Sequence, residues 1–510
     1  MRSPRQKGRA IVHTRSLLGM TAHAVDVECH VARGLPGTTI VGLPQGAVRE
    51  ARDRIKSALL ATGFEYPDGN IIFNLAPADL AKSGTGFDLP MAISLLSATG
   101  QLPVSLADYE FVGELGLFGE IRKVTGAVTC AMAASRAGRH VVLPLANSAE
   151  LAISSSLQAG LADNLRQLTD NLREGKAMPV PAPQSEVQAT APLNTNTVLG
   201  QQTAKRALQI AAAGGHHILM VGPPGTGKTM LARNFRTLLP PLNTEQALEV
   251  AAIYSAAGLK RSNYHLAPFR DPHHSASAPA LIGGGNPPTP GEAALAHHGV
   301  LFLDELPHFK PAALNLLREP IETGQAVLSR AQYKVTFPCR FQLLAAMNPC
   351  PAGRICREDA CRCSHAQVQR YQSRISGPLL DRIDIQVRVP ALAEHVLAKL
   401  AAPAKGAETA HPATQRAQID QARRRQMARQ QSTNANIAGH ELKMHMRAAS
   451  VSQAFLQQAI RRHQLSARSF HKLWRIALTI ADLADSATIT TDHLAEALTF
   501  RSLDWEKGVA

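Results

Sequence analysis

One stretch near the middle of the chain limits what the chain can fold into. Residues 216–229 read HHILMVGPPGTGKT, an apolar run followed by a glycine-rich loop that ends in Lys228 and Thr229. A polyphosphate site of this kind has three parts. A buried strand leads into a loop, the glycines of the loop let backbone N–H groups converge on one point, and the following helix adds the positive end of its dipole. A chance Gly/Pro turn before a helix is the alternative, but it does not require the complete GxxxxGKT pattern. The stretch therefore predicts a nucleotide-binding α/β domain.

This loop also predicts how the nucleotide is held. The ammonium group of Lys228 would neutralise the terminal phosphates, and the hydroxyl of Thr229 would bind the Mg²⁺ ion that bridges them. The nucleotide-binding residues predicted from the loop are Gly222, Pro223, Pro224, Gly225, Thr226, Gly227, Lys228 and Thr229.

Two further strand ends carry polar side chains. The run VLFLDEL delivers Asp304 and Glu305 from a buried strand, and AAMN delivers Asn348 from another. Placing carboxylates at the end of a buried strand costs free energy, so we expect them there when they take part in binding or catalysis. We expect Asp304 to complete the magnesium shell, Glu305 to activate the attacking water, and Asn348 to hold that water. Without the phosphate loop, an acidic strand end and a turn-forming asparagine would be the simpler interpretation.

Composition narrows the class of protein. A chain of 510 residues is too long to fold around one hydrophobic core. It has no stretch of about 18 unbroken apolar residues, the length that a membrane span needs. Its seven irregularly spaced cysteines favour a reducing compartment. We therefore expect a multidomain cytoplasmic protein with no membrane span. The net charge is +15, and residues 416–475 hold 12 Lys or Arg but 2 acidic residues. This surplus indicates either a nucleic-acid partner or a solvated helical face.

Patterns along the chain predict an α/β architecture of several domains. Strand-like and helix-like runs alternate in the N-terminal part, and strands alternate with helices again after the Pro-rich segment, which is typical of a parallel sheet. The C-terminal part reads as helices throughout. The predicted divisions are an N-terminal domain (1–173), a Pro-rich linker (174–193), an ATPase core (194–400), an Ala/Pro-rich break (401–414) and a helical lid (415–510).

Two arginines are candidates for contacts with the nucleotide. Arg382 lies in SGPLLDRID and would reach the nucleotide of a neighbouring subunit as an arginine finger, with Arg374 as its competitor. Arg468 opens a lid helix and would touch the phosphates of its own subunit. Either arginine could instead form a surface ion pair.

The motifs GPPGTGKT, VLFLDEL, AAMNPC, ISGPLLDRID and LSARSFHKLWRIALTIADL, in this order, resemble the magnesium-chelatase-like AAA+ ATPases, and most closely the ComM/YifB family. The resemblance covers nearly the whole chain. It implies a hexameric ring formed with ATP and Mg²⁺, and a DNA branch-migration helicase acting in natural transformation. It also implies that a hairpin at AVLSRAQYKVTF and an insertion with the flexible glycines 283–285 project into a central channel. The hairpin would offer Arg330 and Lys334 as contacts to DNA phosphates, with solvated hairpin charge as the alternative for these two residues.

The N-terminal part is similar to the proteolytic domain of Lon-type proteases. By alignment Gly86 occupies the position of the nucleophilic serine and Ser83 is out of register, which implies a domain without protease activity. His273 and His274 are adjacent, and on a strand they would point to opposite sides, which disfavours a metal site. Cys350, Cys356, Cys361 and Cys363 cluster near His365 and predict either a structural Zn²⁺ site or reduced thiols, although Ala352 replaces a cysteine common in relatives.

The sequence thus favours a ring-forming ATPase that moves DNA, single-stranded or branched. Two alternatives stay open. One is a protein-remodelling ATPase of the magnesium-chelatase motor type that ignores DNA. The other is an ATP-gated DNA-binding scaffold in which hydrolysis matters little.

Overall fold

The computed structural model describes residues 8–182, 200–330, 333–353, 361–391 and 412–501. These residues form an N-terminal α/β part, a central α/β part and a helical C-terminal part. The predicted α/β class, with a parallel central sheet and a helical C-terminus, is therefore confirmed. Cys356, residues 183–193 of the predicted linker and residues 401–411 of the predicted break lie outside the described residues.

A seven-stranded mixed sheet organises the N-terminal part, with the strand order β3-β4-β2-β1-β5-β8-β9. Two long antiparallel strands, β1 and β2, form its centre, and buried residues alternate along them because one face packs on helices. A separate small hairpin is made by β6 and β7. The strands are β1 (Arg9–Leu18), β2 (Thr21–Ala32), β3 (Gly37–Val41), β4 (Asn70–Ala76), β5 (Tyr109–Phe111), β6 (Glu114–Leu115), β7 (Ile121–Arg122), β8 (His140–Pro144) and β9 (Ala159–Ala162).

The helices of this part follow the apolar spacing of the sequence. In α1 the buried residues Val48, Ala51, Ile55 and Ala58 recur every three or four positions, so one stripe faces the sheet. Gly63, which follows this helix, has a φ of +79° and permits the turn. The helices are α1 (Gly46–Ala61), α2 (Asp88–Ala98), α3 (Ala127–Arg136), α4 (Ser148–Leu151) and α5 (Leu165–Glu174).

The beginning of the predicted linker differs from the expectation of solvated chain. The N–H of Leu161 in β9 donates to the carbonyl of Pro179 at 2.7 Å, and Met178 packs against the core of the N-terminal part. A proline segment that lacks its own N–H donors still offers carbonyls to a sheet edge. Residues 176–182 therefore cover the edge strand of the N-terminal sheet.

The central part is built on a parallel sheet with the order β11-β14-β17-β10-β18. All residues of β10, β14 and β17 are buried, because helices cover both faces of a parallel sheet. The strands are β10 (Ile218–Val221), β11 (Phe269–Arg270), β14 (Val300–Leu303), β17 (Gln342–Met347) and β18 (Ile385–Arg388). The helices are α6 (Gln202–Gly214), α7 (Lys228–Leu238), α8 (Thr244–Ala256), α9 (Ala278–Ile282), α10 (Glu292–Leu295), α11 (Pro311–Leu316), α12 (Arg318–Thr323), α13 (His365–Gln372) and α14 (Gly377–Leu380).

Two hairpins extend from this sheet. The predicted hairpin is present as β15 (Gln325–Arg330) paired with β16 (Tyr333–Pro338). The smaller one pairs β12 (Gly283–Gly284) with β13 (Thr289–Pro290). Gly283 and Gly284 are buried, and a Cβ on Gly283 would lie 2.8 Å from the carbonyl oxygen of Thr289. The expectation of a flexible glycine tip is therefore wrong for these two residues, which are glycine because strands approach closely there.

A helical C-terminal part packs on the core. Its helices are α15 (Pro412–Gln430), α16 (Gly439–Arg447), α17 (Gln453–His463), α18 (Ala467–Leu483) and α19 (Thr491–Thr499). Helix α18 is the most buried of them and lies against α6 and α19. Helix α15 begins at Pro412, inside the segment predicted to be a break. In the residues that the structure describes, no helix is long and apolar enough to cross a membrane.

Candidate functional site

The phosphate loop has the backbone conformation that its glycines predict. It joins β10 to α7, which begins at Lys228. Gly225 and Gly227 have φ values of +80° and +87°, which side chains with a Cβ rarely adopt. A Cβ on Gly222 would lie 2.0 Å from the carbonyl oxygen of Val389, so that position has no room for a side chain. The loop can therefore wrap closely around an anion at the first turn of α7.

Lys228 lies at the meeting point of two strand ends. Its Nζ donates to the carbonyl oxygens of Gly222 at 2.7 Å and Pro223 at 2.8 Å, and lies 3.3 Å from Oδ1 of Asn348. Burial lowers the pKa of Lys228, whereas the nearby carboxylates of Asp304 and Glu305 oppose this shift. Asn348 reaches the loop because β17 lies between β14 and β10. A cation and an amide are thus placed together beside the loop.

Thr229 and Asp304 form the part of the site that fits a magnesium ion. The hydroxyl of Thr229 donates to Oδ2 of Asp304 at 2.6 Å, although 75 positions separate them in the chain. A hydroxyl and a carboxylate are oxygen ligands, the type that Mg²⁺ takes together with phosphate oxygens. The two residues that sequence analysis assigned to the ion therefore lie together at the carboxyl edge of the sheet.

Glu305 has a neighbour that the sequence did not indicate. Its backbone is in the left-handed region, with a φ of +51°, and its exposed carboxylate lies 3.4 Å from Nδ1 of His274. The rings of His273 and His274 are 4.1 Å apart, and the ring of His308 is 5.8 Å from His274. The expectation that the two histidines point to opposite sides is wrong, because they lie in a turn after β11 and not in a strand. Nothing in the sequence around His273 and His274 indicated that His274 lies next to Glu305.

Arg382 and Arg468 share one carboxylate. Nη2 of Arg382 pairs with Oε1 of Glu322, and Nη2 of Arg468 lies 3.0 Å from the same oxygen. The hydrogen bond from Arg382 is the main cause that lowers the pKa of Glu322, partial burial opposes it, and the hydrogen bond from Arg468 lowers the pKa further. Arg374, the competitor, is exposed on the segment after α13. The structure thus brings the two predicted arginines together and adds Glu322, which sequence analysis had missed.

The two arginines lie at the edge of the sheet opposite to the phosphate loop. They line a cavity of about 900 Å³ whose other walls include His217 before β10, Gly299 before β14 and Asp384 before β18. Since the strands are parallel, their beginnings mark the amino edge, whereas the loop, Asp304 and Asn348 follow strand ends. The expected contact of Arg468 with the phosphates of its own subunit does not agree with this position.

The remaining predicted residues have less defined surroundings. Lys334 is exposed on β16, opposite Ser329, while the side chain of Arg330 lies outside what the structure describes. The side chains of Cys350, Cys361 and Cys363 lie close together. Gly86 lies before α2, where a Cβ would be 3.1 Å from a methyl group of Val112.

Comparison with protein families gives three matches along the chain. Residues 194–397 match the family described as magnesium chelatase, subunit ChlI. Residues 27–147 match subunit ChlI of Mg-chelatase, and residues 409–501 match the C-terminal region of that subunit.

Comparison with individual proteins gives relatives of nearly the same length. The uncharacterized protein YifB of Salmonella typhimurium is 44% identical over 498 residues, which is 97% of each chain. The competence protein ComM of Haemophilus influenzae is 42% identical over 502 residues, again 97% of each chain. Lon protease 2 of Bacillus subtilis is 28% identical over 174 residues, which is 32% of this chain and 31% of that protein.

Proposed function

This chain belongs to the magnesium-chelatase-like AAA+ ATPases of the ComM/YifB family, and we propose that it is a ring-forming motor that hydrolyses ATP to move DNA strands. The observation that carries the proposal is the division of its polar residues between two edges of one sheet. Lys228, Thr229, Asp304 and Asn348 meet at the carboxyl edge, whereas Arg382 lies at the amino edge. Such a chain has a complete site only when the amino edge of one copy faces the carboxyl edge of the next.

In this assembly each side chain has a distinct role in hydrolysis. Lys228 neutralises the terminal phosphates, and Thr229 with Asp304 would hold Mg²⁺, which would supply positive charge for the reacting phosphate. Glu305 accepts the proton of the attacking water, and Asn348 orients that water. Arg382 and Arg468 of the adjacent copy stabilise the charge that develops on the transferred phosphoryl group. A ring of six copies is the arrangement that we infer from the family.

DNA is the partner that the charge of the chain supports. The net charge is +15, and the surplus of basic residues is concentrated between residues 416 and 475. A relative that covers nearly the whole chain is named a competence protein, and the resemblance to the ComM/YifB family implies a role in natural transformation. We therefore propose branch migration during the integration of incoming DNA, in the cytoplasm. The N-terminal part would serve as a module without protease activity, since Gly86 occupies the position of the nucleophile.

A turnover measurement tests this function. We expect steady-state ATP hydrolysis by the full chain to rise when branched or single-stranded DNA is added, and to rise less at higher salt, because phosphate contacts release counterions. The Glu305→Gln variant under the same conditions corrects for contaminating ATPases. Equal hydrolysis with and without DNA, together with no mobility shift of DNA, would leave the protein-remodelling ATPase as the better function.

The scaffold alternative makes a different prediction for strand movement. If hydrolysis mattered little, Glu305→Gln would still bind branched DNA and support its rearrangement. Under the motor proposal this variant binds DNA but does not resolve a labelled four-way junction. Measuring junction resolution and DNA binding on the same preparation separates the two functions.

The β15–β16 hairpin is the element that we propose to follow the DNA backbone. We expect Lys334→Ala to weaken DNA binding by a similar factor for unrelated sequences, and to reduce the slope of log K against log salt by about one. The reason is that an exposed lysine on a hairpin contacts phosphates, which carry no base information. Fluorescence anisotropy at several salt concentrations measures both quantities.

Lys260 provides a matched control for this substitution. It is an exposed lysine in the loop after α8, and the neighbouring Gly258 lies beside Thr125 of the N-terminal part. Lys260→Ala removes the same charge and is expected to leave the salt slope unchanged. An equal loss in both variants would mean that the hairpin has no special role.

His274 is expected to restrain the catalytic carboxylate. We predict that His274→Ala raises ATP turnover without DNA by about two- to fivefold, since a partly exposed pair of this kind is worth at most ~1 kcal/mol. The ring no longer competes for Glu305, which then reaches the attacking water more often. His274→Gln, which keeps a donor, should stay near the wild-type rate. A fall in turnover for the alanine variant would show that His274 supports Glu305 and does not restrain it.

A further inference from the structure

Three cysteine side chains converge beside the nucleotide site. The sulfur atoms of Cys350, Cys361 and Cys363 all lie within 4.8 Å of one another. Cys350 follows the end of β17, and the other two precede α13, so the cluster joins two separate elements of the core. Four thiolates around Zn²⁺ at about 2.3 Å have sulfur atoms roughly 3.8 Å apart, which is compatible with the separation found here.

The other described cysteines have different surroundings. Cys29, Cys130 and Cys339 are buried singly in the hydrophobic cores, and burial raises the pKa of each thiol to about 12. Such cysteines act as small apolar residues. In the cluster Cys350 is buried but Cys361 is exposed and Cys363 is half-buried. Packing alone gives no reason to gather three sulfur atoms near the surface.

We propose that Cys350, Cys361 and Cys363 bind one structural Zn²⁺ ion. Each thiol releases its proton on binding, and three thiolate sulfurs occupy three positions of a tetrahedral ion. The fourth position is left to a water molecule or to a further side chain. Soft thiolate ligands favour Zn²⁺ over Mg²⁺, so the two sites of one chain would not compete for the same ion.

A second group of potential metal ligands in the described residues has the wrong hydrogen bonding. Glu249, His297 and His298 lie close together, with Nε2 of His297 and Nε2 of His298 at 3.0 and 2.6 Å from Oε2 of Glu249. Nδ1 of His297, however, accepts the backbone N–H of Arg340 at 2.9 Å. The proton of this buried ring is therefore on Nε2 and points to Glu249, so the atom that faces the group offers no lone pair to a metal. In the cysteine cluster, by contrast, three sulfur atoms all lie within 4.8 Å of one another.

The cysteine cluster lies where a bound ion would fix the position of a segment next to the phosphate loop. Gly353, three residues after Cys350, lies against the phosphate loop, since a Cβ on Gly353 would be 3.4 Å from both Nδ2 of Asn348 and Cγ of Pro224. On its other side the cluster leads into α13, whose Tyr371 is buried and lies 6.0 Å from the ring of His308. An ion that cross-links these segments would hold the loop that supports Asn348 and Pro224.

Metal content of the purified full-length chain tests the site. We expect about one zinc per chain by mass spectrometry and about 2.3 Å sulfur ligands by X-ray absorption, with at least three sulfurs. The double variant Cys361→Ser and Cys363→Ser should lose most of the zinc. Cys130→Ala, a cysteine outside the cluster, should retain it. Circular dichroism of each variant shows whether the chain is folded, so that loss of zinc is not confused with unfolding.

Several outcomes would overturn the proposal. One is a chain that contains no zinc and takes up none after incubation with Zn²⁺ and a reductant. Another is an equal zinc content in the cluster variant and in the Cys130→Ala variant, and a third is visible absorption with iron and sulfide in place of zinc. None of these results depends on ATP hydrolysis or DNA, so the proposed motor function can stand or fall separately.

Nucleotide affinity provides a second readout. If loss of the ion leaves residues 350–353 in their binding conformation about a third of the time, the Kd of a non-hydrolysable ATP analogue rises about threefold. We expect this rise in the double cysteine variant and after chelation of the wild-type chain, with recovery when Zn²⁺ is restored to the latter. An unchanged Kd in a zinc-free chain would contradict the link between the ion and the loop.

Discussion

Glu305→Gln is expected to lower steady-state ATP turnover by about a hundredfold to ten-thousandfold, the usual contribution of a general base. An amide at this position cannot accept the proton of the attacking water. The contacts of Lys228, and the contact between Thr229 and Asp304, do not involve the Glu305 side chain. ATP binding should therefore stay close to the wild-type level. Phosphate release and binding of a fluorescent ATP analogue measure the two quantities separately.

Two further variants define what this result means. Lys228→Ala is expected to weaken binding itself, since it removes the buried cation beside the loop. Glu245→Gln, an exposed glutamate in the first turn of α8, should change neither quantity. If Glu305→Gln turned over ATP within tenfold of the wild type, Glu305 would not be the base, and the role of its contact with His274 would need another explanation.

The sequence predicted the parts of the site that depend on local patterns. The glycine pattern predicted a helix directly after the loop, and the apolar runs before Asp304 and Asn348 predicted buried strands. Since parallel strands end at one edge of a sheet, assigning these runs to one sheet also predicted that Thr229 and Asp304 lie together. Local pattern and sheet topology agree here, which explains why the phosphate loop and the acidic pair could be located without a structure.

Features that depend on packing between distant segments could not be predicted in this way. Glu322 lies in the last turn of a short helix with no unusual pattern, yet it binds two arginines from different parts of the chain. Gly283 and Gly284 suggested flexibility, because a glycine required by a close strand and a glycine in a mobile tip look alike in a sequence. His274 faces Glu305 only because β11 lies next to β14 in the sheet. Each of these contacts is set by tertiary structure.

Arg382→Ala is expected to lower ATP turnover by about a thousandfold or more, the range measured when arginine fingers are removed. The arginine lies at the amino edge of the sheet, so we expect it to act on the nucleotide of the adjacent copy. Arg468→Ala should also lower turnover, because the same glutamate holds both guanidinium groups. Arg374→Ala, the exposed competitor, should stay within a few-fold of the wild type. Turnover at saturating ATP compares these variants directly.

Mixing two inactive variants determines whether Arg382 acts between subunits. A site formed by an Arg382→Ala copy, which keeps Glu305, and a neighbouring Glu305→Gln copy, which keeps Arg382, has both groups intact. In an equal mixture about a quarter of the interfaces of a head-to-tail ring would be of this kind, so activity should reappear. A chain that carries both substitutions, mixed with the wild type, serves as the control for subunit exchange. If the two single variants exchange subunits but regain no activity, the arginine acts within its own chain. The proposal that the amino edge of one copy completes the nucleotide site of the next would then be wrong.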